Sequence, residues 1–172
     1  TIPTVQNPTA SVMPLARREE LLRLAMAYGV PIFEDECYSD LVFDGTRPPA
    51  LMALARDKGW HGVIHIGSFS KSIAPALRVG YAIAHWDTLS RLVALKTDAG
   101  TGALEQMVLA EYCAKNFDSH VVTLNKALKE KCDTLMDALA EQFGTAAEFV
   151  APKGGIFLWV TLPAQVDTTR LF

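Results

Sequence analysis

Three short apolar stretches, Val30–Phe33, Val63–Ile66 and Val79–Ala84, constrain the fold more than any other feature of this sequence. Runs of this length bounded by turn residues read as buried strands. Helical segments separate them. Pro14 opens one whose apolar positions Leu15, Leu21, Leu22, Ala25 and Tyr28 share a side, with Glu19 and Glu20 early in it and Gly29 at its end. A loop carrying Pro48 and Pro49 leads to a second, over Leu51–Arg56. Buried strands alternating with helices predict an α/β fold with a mainly parallel sheet between helices. Thr1–Gln6 reads as one more strand.

From Trp86 the pattern turns helical. Segments Thr88–Lys96 and Leu104–Ala114, separated by Gly100-Thr101-Gly102, precede a long helix over Asp118–Phe143 that Gly144 ends. Its apolar side carries Val121, Val122, Leu124, Leu128, Leu135, Met136 and Leu139. Strands Phe149–Val150 and Ile156–Leu162 flank the turn Pro152-Lys153-Gly154-Gly155. The long helix is expected to cross between two domains, residues 1–116 and residues 117–172. Thr1 stands where a whole protein starts with methionine, and Asp167–Phe172 reads as the first turn of a further helix. Both ends predict an internal piece of a longer chain.

Composition excludes several classes. A chain of 172 residues, 50% hydrophobic and 20% charged, is ordinary globular material. A net charge of −3 gives no electrostatic reason to expect nucleic acid or an anionic membrane as partner. No apolar run approaches the ~20 residues of a membrane span, and no basic-then-apolar leader opens the chain. Cys37, Cys113 and Cys132 show no CxxC spacing, so free thiols and a cytoplasmic location are expected. His61, His65, His85 and His120 lack ligand spacing and Glu34-Asp35-Glu36 turns around a strand end, so no metal is expected.

The chemistry-bearing residues follow strands. Asn7 follows Thr1–Gln6, Asp35 and Tyr38 follow Val30–Phe33, and Gly67-Ser68-Phe69-Ser70-Lys71 follows Val63–Ile66, with Arg78 soon after. In parallel α/β sheets the carboxyl ends of strands face the ligand, so these residues can converge on one crevice. Each alone has an ordinary explanation. Lys71 reads as a solvated surface charge, Asp35 as a cap for a helix near Glu36, Tyr38 as a core aromatic and Asn7-Pro8-Thr9 as a turn. The ordered set is more specific than its parts.

Over nearly its whole length the sequence resembles the fold-type I pyridoxal-phosphate aminotransferases of class I/II. Gln6-Asn7-Pro8-Thr9-Ala10 is similar to that family's Asn-Pro-Thr-Gly turn, Asp35–Tyr38 to its Asp-x-x-Tyr, and Ser68–Lys71 to its Ser-x-Ser-Lys. Pro75–Tyr81 resembles its Pro-Gly-Leu-Arg-x-Gly-Tyr, and Pro152–Val160 its Pro-x-Gly-Gly-x-Phe-x-Trp. The 2-aminoadipate/kynurenine-type enzymes and the similar domains of MocR-type regulators are the nearest subgroups. The resemblance implies the later part of a large cofactor domain, then the start of a small α+β domain, in a homodimer. It implies an enzyme moving an amino group between an amino acid and a 2-oxo acid. Lys71 would form the Schiff base and shuttle the proton, a role that requires a neutral amine. Asp35 would hold the pyridine nitrogen protonated. Tyr38 and Asn7 would donate to the ring oxygen, and Ser68, Ser70 and Arg78 would bind the phosphate.

Two departures stand out. Ala10 and Ala76 replace glycines, which costs roughly 1–2 kcal/mol wherever φ must be positive. The family's cofactor-stacking aromatic, its glycine/serine phosphate loop and its substrate-carboxylate arginine fall outside residues 1–172, so this chain alone is expected to be inactive. Two other readings compete. One is a pyridoxal-phosphate effector domain of a MocR-type regulator. The other is a serine acyl-hydrolase built on Ser68-x-x-Lys71, which lacks the Ser-Asp-Asn and Lys-Thr-Gly partners that chemistry needs.

Overall fold

The computed structural model describes residues 1–44 and 46–170. Helix α1 (Leu15–Tyr28) starts after Pro14 and stops at Gly29, whose φ of 63° is the left-handed turn expected of a terminating glycine. Strand β1 (Ile32–Asp35), helix α2 (Leu51–Asp57), strand β2 (Val63–Ser68) and strand β3 (Gly80–Ile83) follow. The α/β layer is as expected, but the sheet is mixed. β1 and β2 are parallel, with Ile32 opposite Val63 and Asp35 opposite Ile66. β3 runs antiparallel to β2, with Ser68 opposite Gly80. The connection between β2 and β3 holds only turns and a 3-10 segment (Pro75–Leu77), and a parallel return would need a longer crossover.

Leu22 and Ala25 of α1, Leu51 and Ala55 of α2, Ile32 and Val63 form one core cluster, so both helices cover one face of the sheet. Two expected members of the α1 stripe, Leu15 and Tyr28, are exposed, and Arg18 is buried instead. Thr1–Gln6 is not a strand. Its first residue nevertheless lies along β1, the Thr1 amino group donating to Phe33 O (2.8 Å) and Asp35 N donating to Thr1 O (2.9 Å).

Helix α3 (Trp86–Leu95) is followed by α4 (Ala103–Phe143), one unbroken helix of 41 residues where the sequence suggested two. Neither glycine nor proline falls between Ala114 and Asp118, and Asn116 donates its side-chain amide to Tyr112 O (3.1 Å) without leaving the helix. No described helix is long and apolar enough to cross a membrane. Strands β4 (Glu148–Phe149) and β5 (Val160–Thr161) pair antiparallel. Ile156–Trp159 does not join them. The segment before it bonds to the turn after β1, with Phe43 N donating to Lys153 O (2.9 Å) and Gly155 N to Leu41 O (2.7 Å). Thr168–Arg170 forms a single 3-10 turn, and the rest of the helix expected over Asp167–Phe172 lies outside the described residues.

Two buried polar networks lock this arrangement. Arg18 donates to Met13 O, Pro3 O, Pro49 O, Thr4 Oγ1 (2.8 Å) and Glu36 Oε1 (3.4 Å). It thereby ties the N-terminal segment, α1, the Pro48-Pro49 loop and the end of β1 together. Burial pushes the Glu36 carboxyl pKa up, while Thr4 and Arg18 draw it back. Glu34, fully buried, accepts from Leu51 N and from Met52 N (3.0 Å), supplying the cap that Ala50 cannot, and pairs with His65 Nδ1 (2.9 Å).

Replacing the guanidinium should be costly. Arg18→Met leaves a buried carboxylate without its cation and should lower unfolding free energy by ~3–5 kcal/mol, read from urea midpoints. The double variant Arg18→Met/Glu36→Gln should recover part of that loss. The hydrogen bond to Glu34 raises the His65 pKa against the opposing effect of burial. Because the folded value exceeds the unfolded one, the stabilisation is complete below about pH 6.5 and fades as pH rises through the folded pKa. Melting temperature should therefore fall more steeply above neutral pH in the native protein than in His65→Gln.

Candidate active site

The register of β1 and β2 builds the site. With Asp35 opposite Ile66 and Glu36 N donating to Ile66 O (2.9 Å), the turns leaving both strands emerge from the same carboxyl edge. One turn carries Asp35 and Tyr38; the other carries Ser68, Ser70 and Lys71. Asp35 caps no helix. Residues 37–40 form a turn, and Asp35 Oδ1 accepts from Cys37 N (3.1 Å).

Cys37 reports on what surrounds it. Burial pushes its thiol up to about 12, Asp35 pushes the same way, and the Lys71 charge opposes them. Lys71 itself is exposed, as an amine open to a ligand must be. The thiol is no nucleophile at that pKa, and it fills space as expected of a half-buried cysteine.

Tyr38 is buried in a second cluster with Val5, Ala10, Leu41 and Val42. Burial raises its phenol pKa, and the neighbouring Asn7 side chain draws it back. Asn7 reaches Tyr38 from a turn closed by Ala10 N donating to Gln6 O (2.6 Å) and Thr9 N to Gln6 Oε1 (2.9 Å). Ala10 holds φ at 56°, so this is a position where the replaced glycine would have been relaxed, whereas Ala76 lies in the 3-10 segment.

The lysine turn is self-supporting. Ser68 Oγ accepts from Ser70 N (3.1 Å), and Phe69 O accepts from Ile73 N (2.9 Å) and Ala74 N (3.1 Å). Phe69 N donates to Val79 O (3.2 Å), which brings the returning chain, and Arg78 with it, back to the same edge. Arg78 sits at φ 54° and donates to Pro75 O (3.1 Å). A cleft of about 770 Å³ between this edge and α4 is lined by Ser68, Phe69, Tyr81 and Arg47 among others, but by none of the other six predicted site residues.

Three contacts at the site were not legible in the sequence. Tyr81 lies over Gly67, where an added Cβ would meet its ring at 2.2 Å. Asn125 of α4 donates to Asp40 O (2.8 Å). Phe157 packs edge-on against Tyr38, with ring centroids 5.5 Å apart and planes at 68°. The alternation of Phe157 with Trp159 was legible but pointed to an ordinary strand, and long-range partners leave no local signal.

The aminotransferase class I and II profile matches residues 1–171. A 2-aminoadipate transaminase of Thermus thermophilus is 38% identical over 99% of this chain and 44% of its own length. The HTH-type transcriptional regulator YisV of Bacillus subtilis is 33% identical over 100% of this chain and 36% of its own. Among solved structures, LysN, the α-aminoadipate aminotransferase of Thermus thermophilus complexed with N-(5'-phosphopyridoxyl)-L-leucine, superposes with a TM-score of 0.95 at 38% identity. That match covers 99% of this chain and 44% of LysN. The chain thus spans less than half the length of these relatives. With a profile match from the first residue to residue 171, on the α/β layer described above, the chain belongs to the aminotransferase class I and II family.

Proposed function

We propose that this chain is the cofactor-domain core of a pyridoxal-phosphate-dependent aminotransferase that moves an amino group between an amino acid and a 2-oxo acid. Residues 1–116 would belong to the large domain and residues 117–172 to the interdomain helix and the start of the small one. The observation that supports the reading is the parallel register that sets Asp35 opposite Ile66, so that the turns bearing Asp35 and Lys71 leave one carboxyl edge. The residue types suit the cofactor: one amine, one carboxylate, a phenol, an amide, two hydroxyls and a guanidinium, on turns that follow the strands or lie beside them.

When bound, pyridoxal phosphate supplies a carbonyl that exchanges amines and a ring that takes up carbanion electron density. The side chains of this chain do the rest. Lys71 Nζ would hold the cofactor covalently and, once released, carry the proton between two carbons as general base and acid. Asp35 would keep a proton on the ring nitrogen by facing it with negative charge. Tyr38 and Asn7 would donate to the ring oxygen, and Ser68, Ser70 and Arg78 would neutralise and orient the phosphate. The reading includes a homodimer and a cytoplasmic location.

A second reading rests on the likeness to YisV. The same fold would then bind the cofactor as an effector domain beside a DNA-binding region, and its activity would be ligand-controlled DNA binding. Transaminase turnover by the full-length protein separates the two. The acyl-hydrolase alternative at Ser68 gains nothing from the family.

Lys71→Ala in the full-length protein should abolish turnover and the cofactor's protein-bound absorption band while leaving circular dichroism unchanged. Asp35→Ala should retain the band but slow turnover at least ~10²-fold. Undiminished turnover in either variant contradicts the assigned role.

A further inference from the structure

From the contact between the segment 152–157 and the turn after β1, we infer that Phe157 is a positioning residue for Tyr38: the edge-to-face contact of the two rings holds the phenol, and with it the hydroxyl, in one orientation. The inference rests on the aminotransferase reading, in which that hydroxyl donates to the ring oxygen of the cofactor.

The backbone places Phe157 with little freedom. Phe43 N donates to Lys153 O (2.9 Å), Gly155 N donates to Leu41 O (2.7 Å), and Val42 and Gly154 form a β-bridge. The approach requires both glycines. A Cβ on Gly154 would stand 2.1 Å from Leu41 O, which is backbone and cannot give way. Gly155 has φ 83°, and a Cβ there would meet Val5 Cγ1 at 2.3 Å. Two residues later Phe157 meets Tyr38 in an edge-to-face pair, a geometry that the ring quadrupoles favour. Leu124 and Leu128 of α4 pack on the same cluster, and Asn125 bonds the carbonyl of Asp40 at the end of the Tyr38 turn.

Phe157 therefore restrains the Tyr38 ring, and with it the position of the hydroxyl. A phenol that can swing about its Cα–Cβ bond loses the hydroxyl geometry first, because a hydrogen bond weakens steeply with angle whereas burial of the ring does not. The consequence is electrostatic. A donor to the ring oxygen favours its ionised form, so loss of the donor raises the pH at which the bound cofactor changes its absorption.

The test uses the full-length holoprotein and follows the cofactor absorption band against pH. Phe157→Leu keeps apolar volume but has no aromatic edge, and should raise the midpoint by roughly 0.5–1 pH unit, lower kcat several-fold and leave KM for the amino acid within about twofold. Phe157→Tyr keeps the edge and should retain the native midpoint. If Phe157→Leu lowers the melting temperature without moving the midpoint, the residue is only structural and the inference is wrong. An equal shift in Phe157→Tyr also overturns it. A native protein with no protein-bound cofactor band at all rejects the aminotransferase reading itself, and a native band that does not change with pH overturns the inference alone.

Discussion

The parallel register of two short strands is the constraint on which the rest of the structure depends. Because Asp35 lies opposite Ile66, the chain leaves β1 and β2 at one level and on one edge. A slip by one residue would turn Asp35 to the other face and bury its charge against α1 and α2. Strand alternation sets the division of labour among the three consecutive acids. Glu34 points into the helix-covered side and is consumed by α2 and His65, Asp35 points to the opposite side, and Glu36 is consumed by Arg18 and Thr4. Only the middle acid is left for a ligand.

Buried charge holds that edge in place. Arg18 touches four separate segments, and hydrophobic contacts alone would not fix their mutual positions, since they are non-directional. The guanidinium fork is directional, and each of its partners is a backbone carbonyl or a side chain at a set distance. The turn bearing Tyr38 is likewise held by specific contacts, from Phe157 and from Asn125.

Much of this was legible in the sequence. Strands β1, β2 and β3 and helices α1 and α2 follow from apolar runs bounded by proline and glycine, because burial and turn chemistry are local signals. The candidate residues Asn7, Asp35, Tyr38, Ser68, Ser70, Lys71 and Arg78 were readable as an ordered set. Their geometry was not, since distances between strand ends depend on register. The burial of Arg18 was not legible because a charged residue on a helix is ordinarily exposed, and only its five acceptors explain it. The continuity of α4 past Lys115 was missed because polar residues there bond back to their own helix instead of ending it. The need for Gly154 and Gly155 became visible only with Leu41 and Val5 beside them.

The central proposal is that one amine, just beyond the end of β2, holds the cofactor covalently. Reduction of the full-length holoprotein with borohydride, proteolysis and mass spectrometry would locate the phosphopyridoxyl label. The account predicts the label on the peptide containing Lys71 and on no other lysine. A label on any other residue, or reduced cofactor recovered entirely free of protein, would contradict it.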